Sequence, residues 1–127
     1  MKSRVQSLVL AAGLLSAVSP SSYAHHAMSL FDQQKVTTAS GTVAEFNWAN
    51  PHATLYLDAK DSQGNTERWT IEFGPPAQLK RDNGMSTDSF KPGEKVTIEG
   101  HPYKDGRKIM RPTKVVLANG KLVEGLY

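Results

Sequence analysis

The chain has 127 residues, with 15 basic and 12 acidic side chains, four histidines and no cysteine. The absence of cysteine excludes disulfide frameworks and thiolate metal sites, so any metal ligand must be histidine, methionine, carboxylate or backbone. The net charge of +3 is too small to predict strong attraction to nucleic acid, and none is expected as a partner.

Residues 1–24 have the pattern of an export signal. Lys2 and Arg4 precede an apolar run, residues 8–18, that is too short to span a bilayer, and small residues stand at Ser22 and Ala24. We expect cleavage after Ala24, which leaves 103 of the 127 residues, with 13 of the 15 basic side chains against 12 acidic ones. The mature protein is therefore expected in the periplasm, without a transmembrane anchor.

Residues 25–34 have no clear period, and we expect a short N-terminal arm packed by Leu30 and Phe31. Residues 35–127 are expected to form one β domain. Apolar and polar residues alternate with the period of half-buried strands, which predicts strands over residues 35–48, 52–60, 66–73, 95–102 and 108–117, and a short last strand at residues 122–123.

Three residues mark an interruption or an end in the predicted elements. Gly41 lies inside the first strand and predicts a bulge or bend that lets the strand pair with two partners. Gly84 ends a helical turn predicted over residues 77–83. Pro112 predicts an edge, bulge or break in the fifth strand.

The order of three strands, a short helix and two strands is that of an OB-fold, an all-β, five-stranded, partly open barrel. An SH3-like barrel or a small sandwich has similar strand spacing and is the alternative fold.

Signal cleavage would place His25 at the start of the mature chain, followed by His26 and Met28. A free α-amino group and the imidazole of the same residue can chelate one ion, and imidazole suits copper and zinc. Met28 offers a thioether. The competing interpretation is that two adjacent histidines at an exposed terminus bind nothing.

His52 and His101 could complete such a site. If they lie at opposite ends of an extended first strand, the two histidines are about 30 Å apart and cannot share an ion. The arm could reach either histidine, and the expected antiparallel pairing of the first and fourth strands favours His101. For His52 or His101 taken singly, the simpler interpretation is a turn histidine that hydrogen-bonds to the backbone.

The sequence also contains two candidate docking elements. One is the turn that contains Trp48, Asn50 and Pro51, where Trp48 either plugs the barrel or stacks on a ligand. The other is a basic hairpin that contains Lys104, Arg107 and Lys108. Together they could dock an envelope protein. No nucleophile, base and acid signature is present, so an enzyme is not expected.

The motifs that stand out together are His25-His26, Phe31-Asp32, Gly41-Thr42-Val43, Phe46-Asn47-Trp48-Ala49-Asn50-Pro51-His52, Trp69, Leu79, Lys91-Pro92-Gly93-Glu94-Lys95-Val96 and Gly100-His101-Pro102. This combination resembles a family of small exported bacterial proteins of unknown function, and it implies a compact β domain without implying an activity. A more distant similarity is to periplasmic copper and silver chaperones, whose Met-x-Met ligand pair this chain lacks.

Two functions follow from these observations. The first is a non-enzymatic, metal-binding OB-like domain that holds copper, or zinc, through His25 with help from His26 and from His101, Met28 or His52. The second is a metal-independent interaction module that uses the turn at Trp48 and the basic hairpin.

Overall fold

The computed structural model describes residues 28–126, which include six strands and an eight-residue helix. The elements are β1 (Thr37–Asn47), β2 (Thr54–Lys60), β3 (Thr66–Glu72), α1 (Pro76–Asn83), β4 (Lys95–Pro102), β5 (Ile109–Leu117) and β6 (Leu122–Glu124).

The strands pair in the order β3-β2-β1-β4-β5-β6, and β3 also pairs with β5. The β3–β5 pairing is parallel and joins Thr70 to Ile109 and Ile71 to Met110, so five strands close into a barrel. These are the pairings of an OB-like barrel, and the predicted fold class is confirmed. A closed barrel with one helix between β3 and β4 excludes the sandwich and the SH3-like alternative.

β1 pairs with a strand in each half of the barrel, as the sequence predicted. Gly41 pairs with Ala59 of β2 and with Val96 of β4. A Cβ at Gly41 would lie 2.2 Å from the backbone oxygen of Asp58, so the close approach of β2 requires glycine here. The irregularity in register lies further along β1, between Val43 and Glu45.

The barrel interior is filled by side chains at every second position of the strands, which point inward. The predicted inward sets of β2, β3 and β4 are all buried: Ala53, Leu55, Leu57, Ala59, Trp69, Ile71, Phe73, Val96 and Ile98. Because these residues occupy every second position, their neighbours form the outer surface of the barrel.

The connection between β3 and β4 packs one end of the barrel. α1 begins at Pro76, where a missing N–H costs no helical hydrogen bond, and ends at Gly84 in the left-handed conformation (φ 66°). The helix begins one residue earlier than predicted, and Leu79 is its buried residue. No helix within residues 28–126 is long and apolar enough to cross a membrane.

The proline in β5 lies at an irregularity in the strand pairing. Pro112 pairs with Gly100, and the register between β4 and β5 shifts between Glu99 and Gly100. A Cβ at Gly100 would lie 2.2 Å from the backbone oxygen of Arg111. The irregularity predicted at Pro112 is therefore confirmed, and it falls beside the residues that form the candidate site.

Candidate functional site

The N-terminal arm is docked on the outside of the barrel. Phe31 is only 2% exposed and packs edge-on against Tyr103, with ring centroids 4.7 Å apart. The Asp32 amide donates to the Pro102 carbonyl at 2.8 Å, and the Lys104 amide donates to the Leu30 carbonyl at 3.0 Å. The prediction that the arm packs is correct for Phe31 and wrong for Leu30, whose side chain is 48% exposed.

The first described residue of the arm, Met28, lies against Arg111 of β5. The Arg111 Nη1 group donates to the Met28 thioether sulfur. This contact joins the start of the arm to the outward face of the barrel. Because the thioether accepts from a guanidinium here, Met28 cannot bind a soft ion in this arrangement without leaving Arg111.

Arg111 shares a small recess with His52, Glu72, Phe31 and Phe73. Its volume is about 20 Å³, enough for one water or one ion. Phe31 contributes an aromatic wall from the arm, and the other residues come from the barrel. The recess therefore lies where the arm, the entry to β2, the end of β3 and β5 meet.

Backbone hydrogen bonds fix the positions of the two candidate metal ligands in this recess, His52 and Glu72. The Ala53 amide donates to Gly74 at 3.2 Å and the Phe73 amide donates to Ala53 at 2.9 Å, so the residue before Ala53 is held beside the end of β3. His52 is exposed, and Glu72 is half-buried on the outward face of β3. The sequence analysis missed Glu72 because its position is that of an ordinary outward strand residue.

His101 lies on the outward surface of β4, beside β5. It is the cross-strand partner of Arg111, and its Nδ1 lies 2.8 Å from the Lys35 carbonyl. The expected proximity of His101 to the start of the first strand is confirmed. Since a carbonyl only accepts, Nδ1 carries the proton in the neutral ring, which leaves Nε2 as the nitrogen with a lone pair.

The expected separation of about 30 Å between His52 and His101 is wrong. That expectation followed the path along β1 and ignored closure of the barrel. Closure places the end of β3 beside β5, so His52 shares a recess with Arg111, which is the direct neighbour of His101. Adjacent strands lie about 4.8 Å apart, so the path around the barrel is far shorter.

The predicted ligands His25 and His26, and the cleavage site after Ala24, lie outside the described residues. Within residues 28–126, no group of three or more histidine and acidic side chains could hold a metal ion. A complete site built on His52 therefore needs donors from elsewhere in the chain.

The turn between β1 and β2 is partly structural. Trp48 is half-buried and packs against the core, with its ring centroid 5.8 Å from that of Phe46. Of its two interpretations, the structure favours the plug. Asn50 and Pro51 are exposed, so they are the part of this turn that a partner could contact.

The cations of the basic hairpin differ in their surroundings. Arg107 pairs with Asp105 at 2.8 Å and lies over the Tyr103 ring. Lys108 pairs with Glu67 at 3.2 Å, while Lys104 is exposed. Partial burial raises the pKa of the Tyr103 phenol, with a smaller contribution from the nearby Glu72 carboxylate.

A shallow groove of about 460 Å³ crosses β1, β2, β4 and the end of β5, away from the histidines. Its one carboxylate, Asp58, is paired with Arg68 at 2.8 Å. The side-chain hydrogen bond from Arg68 lowers the pKa of Asp58 below its ordinary value. Because the groove has no histidine, it does not offer the nitrogen ligands that copper prefers.

Comparisons with known proteins identify a family and similar solved structures, and they leave the activity open. A family model described as "Family of unknown function (DUF6152)" matches residues 12–111. No curated protein matches the chain significantly. Two crystal forms of the mitochondrial single-stranded DNA binding protein Rim1 of S. cerevisiae are similar in structure. Form 1 has a TM-score of 0.48 and 12% identity over 66% of this chain and 92% of that one. Form 2 has a TM-score of 0.47 and 14% identity over 71% and 95%.

Proposed function

We propose a function for this chain on the premise that it belongs to the family of unknown function DUF6152. The exported, mature protein binds a transition-metal ion, copper in preference to zinc, through the α-amino group and imidazole of His25. His26 assists, and the protein acts in periplasmic metal handling or as an accessory to an exported system.

The observation that carries this proposal is the position of Met28. Its sulfur accepts from Arg111, at the recess that contains His52 and Glu72. Three residues of extended chain span about 11 Å, and that length is enough for a donor at His25 to reach this corner of the barrel. His101 is the strand neighbour of Arg111, so the two histidines among the described residues both lie near the Met28 contact.

The charges around the recess favour copper or zinc over calcium or magnesium. Glu72 supplies one negative charge and Arg111 one positive charge, which leaves no net charge to hold a hard cation. Neutral imidazole and amine nitrogens bind copper and zinc without needing such a charge, and copper(II) binds them more tightly than zinc does.

A titration of the mature protein with copper(II) tests the proposal. The comparison is between protein that starts at His25 with a free α-amino group and the same protein with that amino group acetylated. Acetylation removes the amine as a donor, and we expect the affinity to fall by about 100-fold, because a tethered second donor contributes that much. Equal affinities would remove the amine chelate.

The competing function is docking of an envelope protein through Asn50, Pro51 and Lys104, which are exposed. Metal-free native protein that captures one partner, with capture lost in Lys104→Ala, would favour docking. Copper that remains bound through purification would favour the metal site.

A further inference from the structure

We propose that the groove across β1, β2, β4 and the end of β5 binds an organic phosphate, a small molecule with a phosphomonoester at one end and an apolar body at the other. The groove lies away from the histidines and its ligand needs no metal ion, so this inference goes beyond the proposed function. Its volume of about 460 Å³ lies within the usual range for small-molecule sites.

Two lysines line the groove with charges that no carboxylate neutralises. Lys60 ends β2 and Lys95 begins β4, and both side chains are exposed. Within residues 28–126, neither lysine forms an ion pair. The Lys60 ammonium donates to the Thr66 hydroxyl at 2.6 Å, which uses one of its three N–H groups. Both ammonium groups therefore keep donors for an anion.

The acidic residues nearest to these lysines are bonded elsewhere. Asp58 lines the groove and accepts two hydrogen bonds from the Arg68 guanidinium, at 2.8 and 2.9 Å. Glu94 precedes Lys95 in the chain, and its carboxylate accepts from the Lys91 amide at 3.1 Å. Because Arg68 offsets the charge of Asp58, the groove keeps the two positive charges of its lysines, and these attract an anion.

Hydroxyl groups of β1 and β4 line the groove beside the lysines. The strand register places Thr42 between Asp58 of β2 and Lys95 of β4. Ser40 and Thr97 are cross-strand partners, and their hydroxyl oxygens lie 2.9 Å apart. That hydrogen bond uses one of the two hydroxyl protons of the pair. Thr42 and one hydroxyl of the pair can therefore donate to a ligand oxygen.

This donor set matches a phosphomonoester. A phosphate placed over β1 has β2 and β4 on either side, each about 4.8 Å away, so both flexible lysine side chains can reach it. Lysine binds phosphate as a point charge, and the three oxygens of a phosphomonoester can accept from two ammonium groups and a hydroxyl. Val116, Leu117 and Ala118 line the groove at the end of β5 and offer an apolar surface to the body of the ligand.

An NMR titration with phenyl phosphate, read at the backbone amides with EDTA present, reports both the site and the affinity. Binding should shift the amides of Thr42, Thr97 and Leu117, which line the groove. Lys95→Gln should weaken binding about 10-fold, because hydrogen bonds to charged groups contribute on that order. Lys80→Gln removes an exposed lysine of α1 outside the groove, and this matched control should leave the affinity unchanged.

Matched ligands separate the two ends of the molecule. Phenol lacks the phosphate and inorganic phosphate lacks the ring, so each should bind about 10-fold more weakly than phenyl phosphate. Equal affinity for either of them would overturn the proposed ligand class. Equal weakening in Lys95→Gln and Lys80→Gln would reveal general attraction to positive charge, and shifts confined to the hairpin at Lys104 would place the anion elsewhere. Either result would overturn the site.

Discussion

Replacing Phe31 with alanine removes the main anchor of the arm. The side chain is 2% exposed and packs on Tyr103 at 4.7 Å. Phenylalanine-to-alanine changes at buried sites cost about 3–5 kcal/mol, and the lower value applies because an arm can collapse onto the barrel. A loss of about 3 kcal/mol corresponds to a change of about 100-fold in the docking equilibrium.

Hydrogen exchange can locate this effect. The Asp32 and Lys104 amides bond across the interface between arm and barrel, so their exchange should accelerate by up to about 100-fold in Phe31→Ala. The amide of Ile71, in the closed barrel, should change much less. Leu30→Ala is the control on the same arm. Its side chain is 48% exposed, and we expect less than about 0.5 kcal/mol.

Two results would refute this reasoning. Unchanged exchange at Asp32 and Lys104 would mean that Phe31 does not hold the arm. Equal acceleration at Ile71 would mean that the arm unfolds only together with the barrel.

Further predictions concern the barrel and its histidine. Gly41→Ala should destabilise the protein by about 2 kcal/mol or more in urea unfolding, because a Cβ would lie 2.2 Å from the Asp58 oxygen; unchanged stability would contradict the close approach. The pKa of Asp58 is lowered by Arg68, so its contribution to stability is present above its unfolded pKa near 3.8 and is lost as the pH falls through the lower folded value. Asp58→Asn should therefore reduce the loss of unfolding free energy on acidification. An unchanged loss would argue against the ion pair between Asp58 and Arg68. For His101, nitrogen NMR should find the Nδ1-protonated tautomer, because Nδ1 faces the Lys35 carbonyl; the Nε2-protonated form would contradict that hydrogen bond.

Local features of the barrel could be predicted because local patterns specify them. The period-two alternation in β2 and β3 identified the buried face, including Leu55 and Ile71. Gly84 marked the end of α1, and Pro112 marked the irregularity beside Gly100. Each of these signals depends only on backbone conformation or on the side-chain period within one element.

The candidate site could not be predicted to the same extent, because it depends on contacts between distant segments. The parallel contact of Ile71 with Met110 closes the barrel and brings Glu72 toward Arg111, and neither strand alone encodes it. The same closure explains why the distance argument for His52 failed. Burial of Phe31 with exposure of Leu30 depends on where Tyr103 lies, which is set by the fold and not by the arm.

The most direct test of the metal-binding proposal is elemental analysis of protein secreted with its own signal, combined with its intact mass. The proposal predicts close to one copper per chain and a mass that begins at His25, the first residue after the expected cleavage site. A metal-free protein that begins at His25, or a copper-loaded protein that begins elsewhere, would contradict it.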